Sequence, residues 1–415
     1  VLPIFKRSED HFAGSSELHG AGGEWRVEEP RIGWDILDAF REAAAEAGIP
    51  KIEDFNGGDN EGCAYFQVNQ KKGVRWHTAK AFLKPAMGRG NLTVLTHAQT
   101  EKVTLNGKRV TGVLFRQDRA LKHAEADAEV ILSAGAVGSP QILQLSGIGP
   151  GALLTEHGID VLRDLPGVGE NLQDHLQLRL AYKVQNITTL NEMSSSLVNK
   201  AKMALEYAMF RRGPLTMAPS QLGAFAKSSE RFATPNLQYH VQPLSLEKFG
   251  EPLHPFPAFT ASVCNLRPLS RGWIRIVDTD PKTAPEIRPN YLMEEQDKEV
   301  AADSIRLTRR IVLETKTMAG FQPEEFMPGP AAQSEAELVK AAGDIGTTIF
   351  HPIGTCKMGS DAMAVVDDQL RVCGVEGLRI VDASIMPTIT SGNTNSPTLM
   401  IAEKAASMIS GNGPR

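Results

Sequence analysis

Residues 129–149 read Glu129-Val130-Ile131-Leu132-Ser133-Ala134-Gly135-Ala136-Val137-Gly138-Ser139-Pro140-Gln141-Ile142-Leu143-Gln144-Leu145-Ser146-Gly147-Ile148-Gly149. The branched run Glu129–Leu132 predicts a strand, the small residues Ser133–Ala136 a tight turn, and the stretch from about Ser139 a helix. Small residues at the carboxyl end of a strand let backbone approach a ligand, which is where open α/β sheets hold nucleotides. Tight packing is an equal reading of the same residues. A second stretch repeats the pattern, with Leu378-Arg379-Ile380-Val381 running into Asp382-Ala383-Ser384. Gly147-Ile148-Gly149-Pro150-Gly151 comes nearest to a Gly-x-Gly-x-x-Gly phosphate loop. It follows a helix, however, and carries a proline where a cradle needs an N–H, so it reads as a turn.

Along the whole sequence, 37 glycines and 25 prolines punctuate the chain into many short elements. Residues 34–47 predict an amphipathic helix, with Ile36, Leu37, Phe40, Ala43, Ala44 and Ala47 on one side and Gly48 and Pro50 as the stop. Helical patterns recur over 197–210 and 299–314. Further strands are predicted at Leu92–Leu95, Val110–Phe115, Leu178–Val184, Leu237–Val241, Phe259–Val263, Trp273–Val277 and Leu378–Val381. The fold class is therefore α/β, or α+β taken as a whole.

With 41% apolar and 22% charged residues, the 415-residue chain is an ordinary globular composition of two or three domains. Its net charge of −5, with both signs scattered, gives nucleic acid no footprint. The four cysteines, Cys63, Cys264, Cys356 and Cys373, are too few and too scattered for a disulfide framework or a structural zinc site, so no metal is expected. A reducing, cytoplasmic compartment fits this usage. No apolar run reaches the ~18–20 residues of a membrane helix. Val1-Leu2-Pro3-Ile4-Phe5-Lys6-Arg7-Ser8-Glu9 resembles neither an initiator region nor a signal peptide.

Five stretches carry a family resemblance. They are 135–149; Phe350-His351-Pro352-Ile353-Gly354-Thr355-Cys356-Lys357-Met358-Gly359; Gly377-Leu378-Arg379-Ile380-Val381-Asp382-Ala383-Ser384 running on to Ser391-Gly392-Asn393-Thr394-Asn395-Ser396-Pro397; Leu165-Pro166-Gly167-Val168-Gly169-Glu170-Asn171-Leu172-Gln173-Asp174-His175; and Leu266-Arg267-Pro268-Leu269-Ser270-Arg271-Gly272. Together they resemble the glucose-methanol-choline (GMC) oxidoreductases, flavoenzymes that oxidise alcohols with FAD, and most closely the choline dehydrogenase and aliphatic alcohol dehydrogenase branch. The resemblance implies a Rossmann-like FAD-binding domain assembled from 62–174 and 361–415. It implies a substrate domain with a mostly antiparallel sheet from 1–61 and 175–360. Family members open with a strand, a Gly-x-Gly-x-x-Gly turn and a helix that hold the FAD pyrophosphate, and Val1–Glu9 matches a segment beyond that unit.

Alcohol oxidation by hydride transfer needs the hydroxyl proton removed, because an alkoxide expels hydride far more readily than a neutral alcohol. A histidine titrating near neutrality suits the task. A lone histidine is more often a satisfied core residue; the motif is what singles out His351, which the resemblance makes the catalytic histidine. The second catalytic position falls on Asn393, an amide that can donate to a developing alkoxide without titrating. Asn393 also reads as a cap of the helical run Thr398–Ile409. For FAD the resemblance implies contacts from Thr100, Ser133, Ala134, Gly135, Asp382, Ala383, Asn393 and Thr394. His77, His97, His175, His240 and His254 read as structural or surface residues, and Cys356 as a small hydrophobe.

The resulting expectation is FAD-dependent oxidation of a primary alcohol to an aldehyde, with a small-molecule alcohol as partner. The electron acceptor, whether quinone, another carrier or oxygen, stays open. The alternatives are the non-oxidising GMC members, hydroxynitrile lyases and fatty-acid photodecarboxylases, or a truncated remnant without catalysis. Residues 200–212 could form an amphipathic helix in peripheral membrane contact, although a buried or lid helix fits the pattern better.

Overall fold

A computed structural model describes residues 1–248 and 250–411. The chain divides into two compact units. One comprises Val1–Arg89, Leu176–Leu266 and Glu295–Thr348, the other Gly90–His175, Arg267–Glu294 and Ile349–Arg415.

The first unit is built on a seven-stranded antiparallel sheet. In spatial order its strands are Glu324–Met327, Leu176–Lys183, Ala258–Asn265, Leu237–Gln242, Leu222–Ala226 and Gly62–Tyr65, with Gly346–Thr348 also pairing Leu176–Lys183. Side chains alternate between the faces with period two. On one face Leu178, Val263, Tyr239, Ala224 and Cys63 form a cross-strand row, and Leu180, Ala261, Val241 and Leu222 form the next. Helices Asp35–Glu46 and Glu295–Leu313 cover this apolar face. Phe40 packs against Tyr239 and Phe259, and the Tyr239 hydroxyl meets Thr308 Oγ1 at 3.1 Å. On the opposite face the rows read Gln177, Cys264, Gln238 and then Arg179, Ser262, His240, all buried despite their polarity.

Helix Asp35–Glu46 buries Ile36, Leu37, Phe40, Ala43 and Ala44 of the predicted stripe, while Ala47 falls just past its end as the C-cap and is only partly buried. Helix Leu197–Phe210 spans the predicted residues, whereas the helix expected from 299 begins at Glu295. Glu295 and Asp297 favour that extra turn because they face the positive end of the helix dipole. Glu9, His11 and His19 bring metal-type donors together near the start of the chain. Their nitrogens are already engaged: His19 bonds Glu9 at 3.1 Å and Asp54 at 2.8 Å, while His11 bonds Gln67 at 3.2 Å and accepts the Ala13 N–H at 3.4 Å. The cluster is a hydrogen-bonded clamp.

In the second unit, strands Val130–Leu132 and Leu378–Ile380 pair in parallel. A three-stranded antiparallel sheet, Gln99–Asn106, Arg109–Gln117 and Ala120–Glu125, lies in the same unit. The strand expected at Leu92–Leu95 does not form; those residues are irregular, and Leu92, Val94 and Leu95 are exposed. Branched side chains do not make a strand without a partner ladder, and the ladder starts at Gln99. The core gathers Val103, Val110, Leu132, Leu143, Leu378 and Ile380. Among the described residues no helix is long and apolar enough to cross a membrane.

The helix expected from about Ser139 begins at Gly135 and runs to Leu145. The Asp382 carboxylate accepts the Gly135 N–H at 2.9 Å, satisfying one of the orphan donors of a first helical turn. Pro140, inside this helix, cannot donate to the carbonyl of Ala136 four residues back. Thr355 Oγ1 donates to that carbonyl instead, at 2.6 Å.

Candidate active site

The site is assembled in the second unit where two distant segments meet as a short antiparallel ladder. Gln173 N–H donates to Ile353 O at 3.1 Å, Ile353 N–H returns to Gln173 O at 2.9 Å, and Ile349 N–H donates to His175 O at 3.2 Å. That register sets Asp174 and His175 beside His351. Phe350 holds φ at +64°, a conformation bulky residues seldom adopt, and turns the chain sharply before the histidine. Gly354, three residues on, has φ +92°, and a Cβ there would lie 2.6 Å from Asn171 O. Only glycine lets the two segments approach this closely.

His351 is buried. Its backbone N–H donates to Asp174 Oδ1 at 2.8 Å, and Asp174 Oδ2 accepts the Tyr291 hydroxyl at 2.5 Å. Its ring Nδ1 meets Nδ1 of His175 at 3.0 Å, the two rings standing edge to face at 85°. Its Nε2 faces Asn393 Nδ2 at 3.3 Å. Burial pulls the His351 pKa below the ordinary histidine value, and the negative charge of Asp174 offsets part of that. Burial therefore favours the neutral imidazole over the imidazolium. Gln173 ties in the segment that leads to Asn393: its Nε2 donates to Pro387 O at 3.0 Å, and its Oε1 accepts the Ile389 N–H at 3.1 Å.

The two sequence-predicted residues His351 and Asn393 are thus brought together. His175, read from the sequence as structural, belongs to the same cluster. The sequence signal that could have found it is its place directly after Asp174 in the Asn171–His175 motif, but its pairing with a residue 176 positions away is a property of the ladder.

At the ends of the parallel strands lies a second constellation. Asp382 Oδ2 accepts from Gly135 N–H and, at 2.6 Å, from Ser139 Oγ, while Oδ1 accepts the Ser384 N–H at 2.8 Å. Gly135 has φ +77°, and no atom lies within 4 Å of where its Cβ would stand. The space beside Gly135 is therefore open, while the Ala134 N–H donates to Ser139 Oγ at 3.2 Å. Ala383 follows Asp382 directly, and Thr394 stands at the N-cap position of helix Asn395–Ile409, without a side-chain cap bond, at an amino end that carries partial positive charge. Thr100 lies in the same unit on strand Gln99–Asn106, opposite Phe115. Cys356 is fully buried, with burial and the nearby Asp382 charge pushing its thiol well above the ordinary range, so it is inert.

The family model for GMC oxidoreductase matches residues 1–177 and 268–402. Over 417 aligned residues the chain is 41% identical to an oxygen-dependent choline dehydrogenase of Chromohalobacter salexigens, covering all of this chain and 74% of that protein. The chain belongs to the GMC oxidoreductase family. An alcohol dehydrogenase (acceptor) of Pseudomonas putida is 39% identical over 99% of this GMC oxidoreductase and 74% of its own length. Among solved structures, a pyridoxine 4-oxidase from Mesorbium loti superimposes with a TM-score of 0.87 at 30% identity, over 100% of this chain and 77% of that one. This GMC oxidoreductase is an FAD-dependent enzyme that oxidises alcohols. The open backbone at Gly135 and the parallel strand ends fit a bound dinucleotide.

Proposed function

We propose that His351 is the base that takes the hydroxyl proton of a primary alcohol and that Asn393 holds the alcohol oxygen while an aldehyde forms. The carrying observation is the pairing of the buried His351 Nε2 with the Asn393 amide at 3.3 Å. When an alcohol enters, its oxygen replaces the ring nitrogen as acceptor of the Asn393 N–H, and its own proton faces Nε2. The O–H bond breaks as an Nε2–H bond forms, and the fixed amide dipole stabilises the charge that develops on oxygen. Bound FAD supplies the two-electron acceptor for the hydride that leaves the carbinol carbon. Ser133, Ala134, Gly135, Asp382, Ala383, Asn393, Thr394 and Thr100 would hold it, the first three through backbone and Thr394 through the helix end. The unit containing 90–175, 267–294 and 349–415 is then the FAD-binding one.

Replacing His351 with alanine tests the assignment. Anaerobic flavin reduction by a primary alcohol should slow by the ~10²–10⁴ attributed to a general base. Unchanged reduction would sink it.

We also propose that the chain makes peripheral contact with an anionic membrane surface. In helix Leu197–Phe210 only Met203 is buried, while Leu197, Val198, Leu205 and Met209 line one exposed face. Lys200, Lys202, Arg211 and Arg212 flank that stripe, against the single acid Glu206. An apolar face rimmed by cations matches the interfacial region of an anionic bilayer.

A further inference from the structure

We propose that His175 is a positioning residue that selects the tautomer of His351, keeping Nε2 free of its proton and ready for the alcohol. The inference rests on the reading of His351 as the base, and it follows from donor and acceptor bookkeeping along three connected side chains. Asn393 Nδ2 has protons and no lone pair to offer, so in its 3.3 Å contact it donates and His351 Nε2 accepts. A neutral imidazole that accepts at Nε2 carries its proton at Nδ1. That proton points at His175 Nδ1, 3.0 Å away, so His175 accepts there and carries its own proton on Nε2. The opposite tautomer of His351 would set an N–H against the Asn393 amide protons and, with His175 protonated on Nε2, would leave two bare Nδ1 lone pairs facing each other. With Asn393 Nδ2 facing His351, one proton arrangement satisfies both contacts.

The arrangement also serves the product of proton transfer. Once Nε2 has taken the hydroxyl proton, His351 is an imidazolium with donors on both nitrogens. The Nδ1–H keeps the acceptor it already had, so the charge appears in a buried site with no hydrogen bond to rebuild. His175 is itself fully buried, so its ring is held in place. Asp174 complements it through the main chain, by fixing the His351 N–H. Its charge also favours the imidazolium.

Two variants separate this role from simple packing. His175→Leu keeps the approximate volume and removes the acceptor, while His175→Asn returns a polar side-chain atom near the Nδ1 position. Nitrogen-15 NMR of histidine-labelled protein, with the His351 signals assigned by their loss in His351→Gln, reads the tautomer directly, with or without FAD. The wild-type chain should show His351 protonated on Nδ1 with a bare Nε2. His175→Leu should shift it toward the Nε2–H form and slow anaerobic flavin reduction about 10²-fold with KM little changed; a wrong tautomer in a Ser-His-Asp triad costs up to about 10⁴. His175→Asn should recover most of the rate. A wild-type His351 protonated on Nε2 overturns the proposal, as does an unchanged tautomer in His175→Leu. If that variant does not fold, the wild-type tautomer and the asparagine variant decide. Failure of the base assignment itself would look different: His351→Ala would reduce flavin normally while the tautomer stayed as described.

Discussion

His351 works under two opposed influences. Burial disfavours its charged form, and Asp174, bonded to its backbone N–H, restores part of that form's stability. The base is active when neutral and its pKa lies below the ordinary histidine value, so flavin reduction should be flat above about pH 6.5 and fall only as pH drops further. A pH series of anaerobic stopped-flow traces checks this. Asp174→Asn should move the falling limb to lower pH, and a limb above pH 7 would contradict the account. At this scale much was legible: the short motifs around 351 and 393 identify residues that the structure does bring together. The part played by His175 was not legible, because a histidine's meaning depends on what its ring touches. That neighbour is supplied by a backbone ladder between segments far apart in the chain.

Elements were legible where periodicity and stop signals agreed, as in helix Asp35–Glu46. They were not where a tertiary hydrogen bond decided the outcome. The helix at Gly135 starts early because a carboxylate from residue 382 caps it, and it tolerates Pro140 because Thr355 serves the stranded Ala136 carbonyl. Leu92–Leu95 fails for the converse reason, having strand-forming residues and no ladder. The exposed helix Leu197–Phe210 carries its own prediction. In flotation assays the protein should rise with phosphatidylglycerol-containing vesicles and not with pure phosphatidylcholine. Leu205→Glu combined with Met209→Glu should abolish that without altering flavin reduction by alcohol. Equal binding to both vesicle types would remove the electrostatic part of the reading.

For the molecule as a whole, ligand linkage gives a test that does not depend on turnover. A cofactor that binds only the folded state adds about 2.7 kcal/mol of stability at a hundredfold excess over Kd. FAD should therefore raise the melting temperature by several degrees. Gly135→Val, which fills the open space at the strand end and places a side chain on a φ of +77°, should lose most of that rise. An undiminished rise would move the cofactor elsewhere. The mixed α/β class was readable from two strand–turn stretches. The two-faced sheet needed the register of its strands, because rows such as Gln177, Cys264 and Gln238 are drawn from three separate strands.

The interleaving of the two units also imposes a timetable. Each is stitched from three stretches of chain, and the last of these begins at Glu295 for one and at Ile349 for the other. The parallel strand pair closes only when Leu378–Ile380 has emerged, and the bond from Gly135 to Asp382 spans 247 positions. On a ribosome, the first half of the cradle must wait until residue 382 has been made. Closing so long a loop is also slow, since its entropy is lost before the contact is gained. Cofactor capture is thereby a late event, and a nascent chain that stalls before residue 382 has no completed cradle to offer.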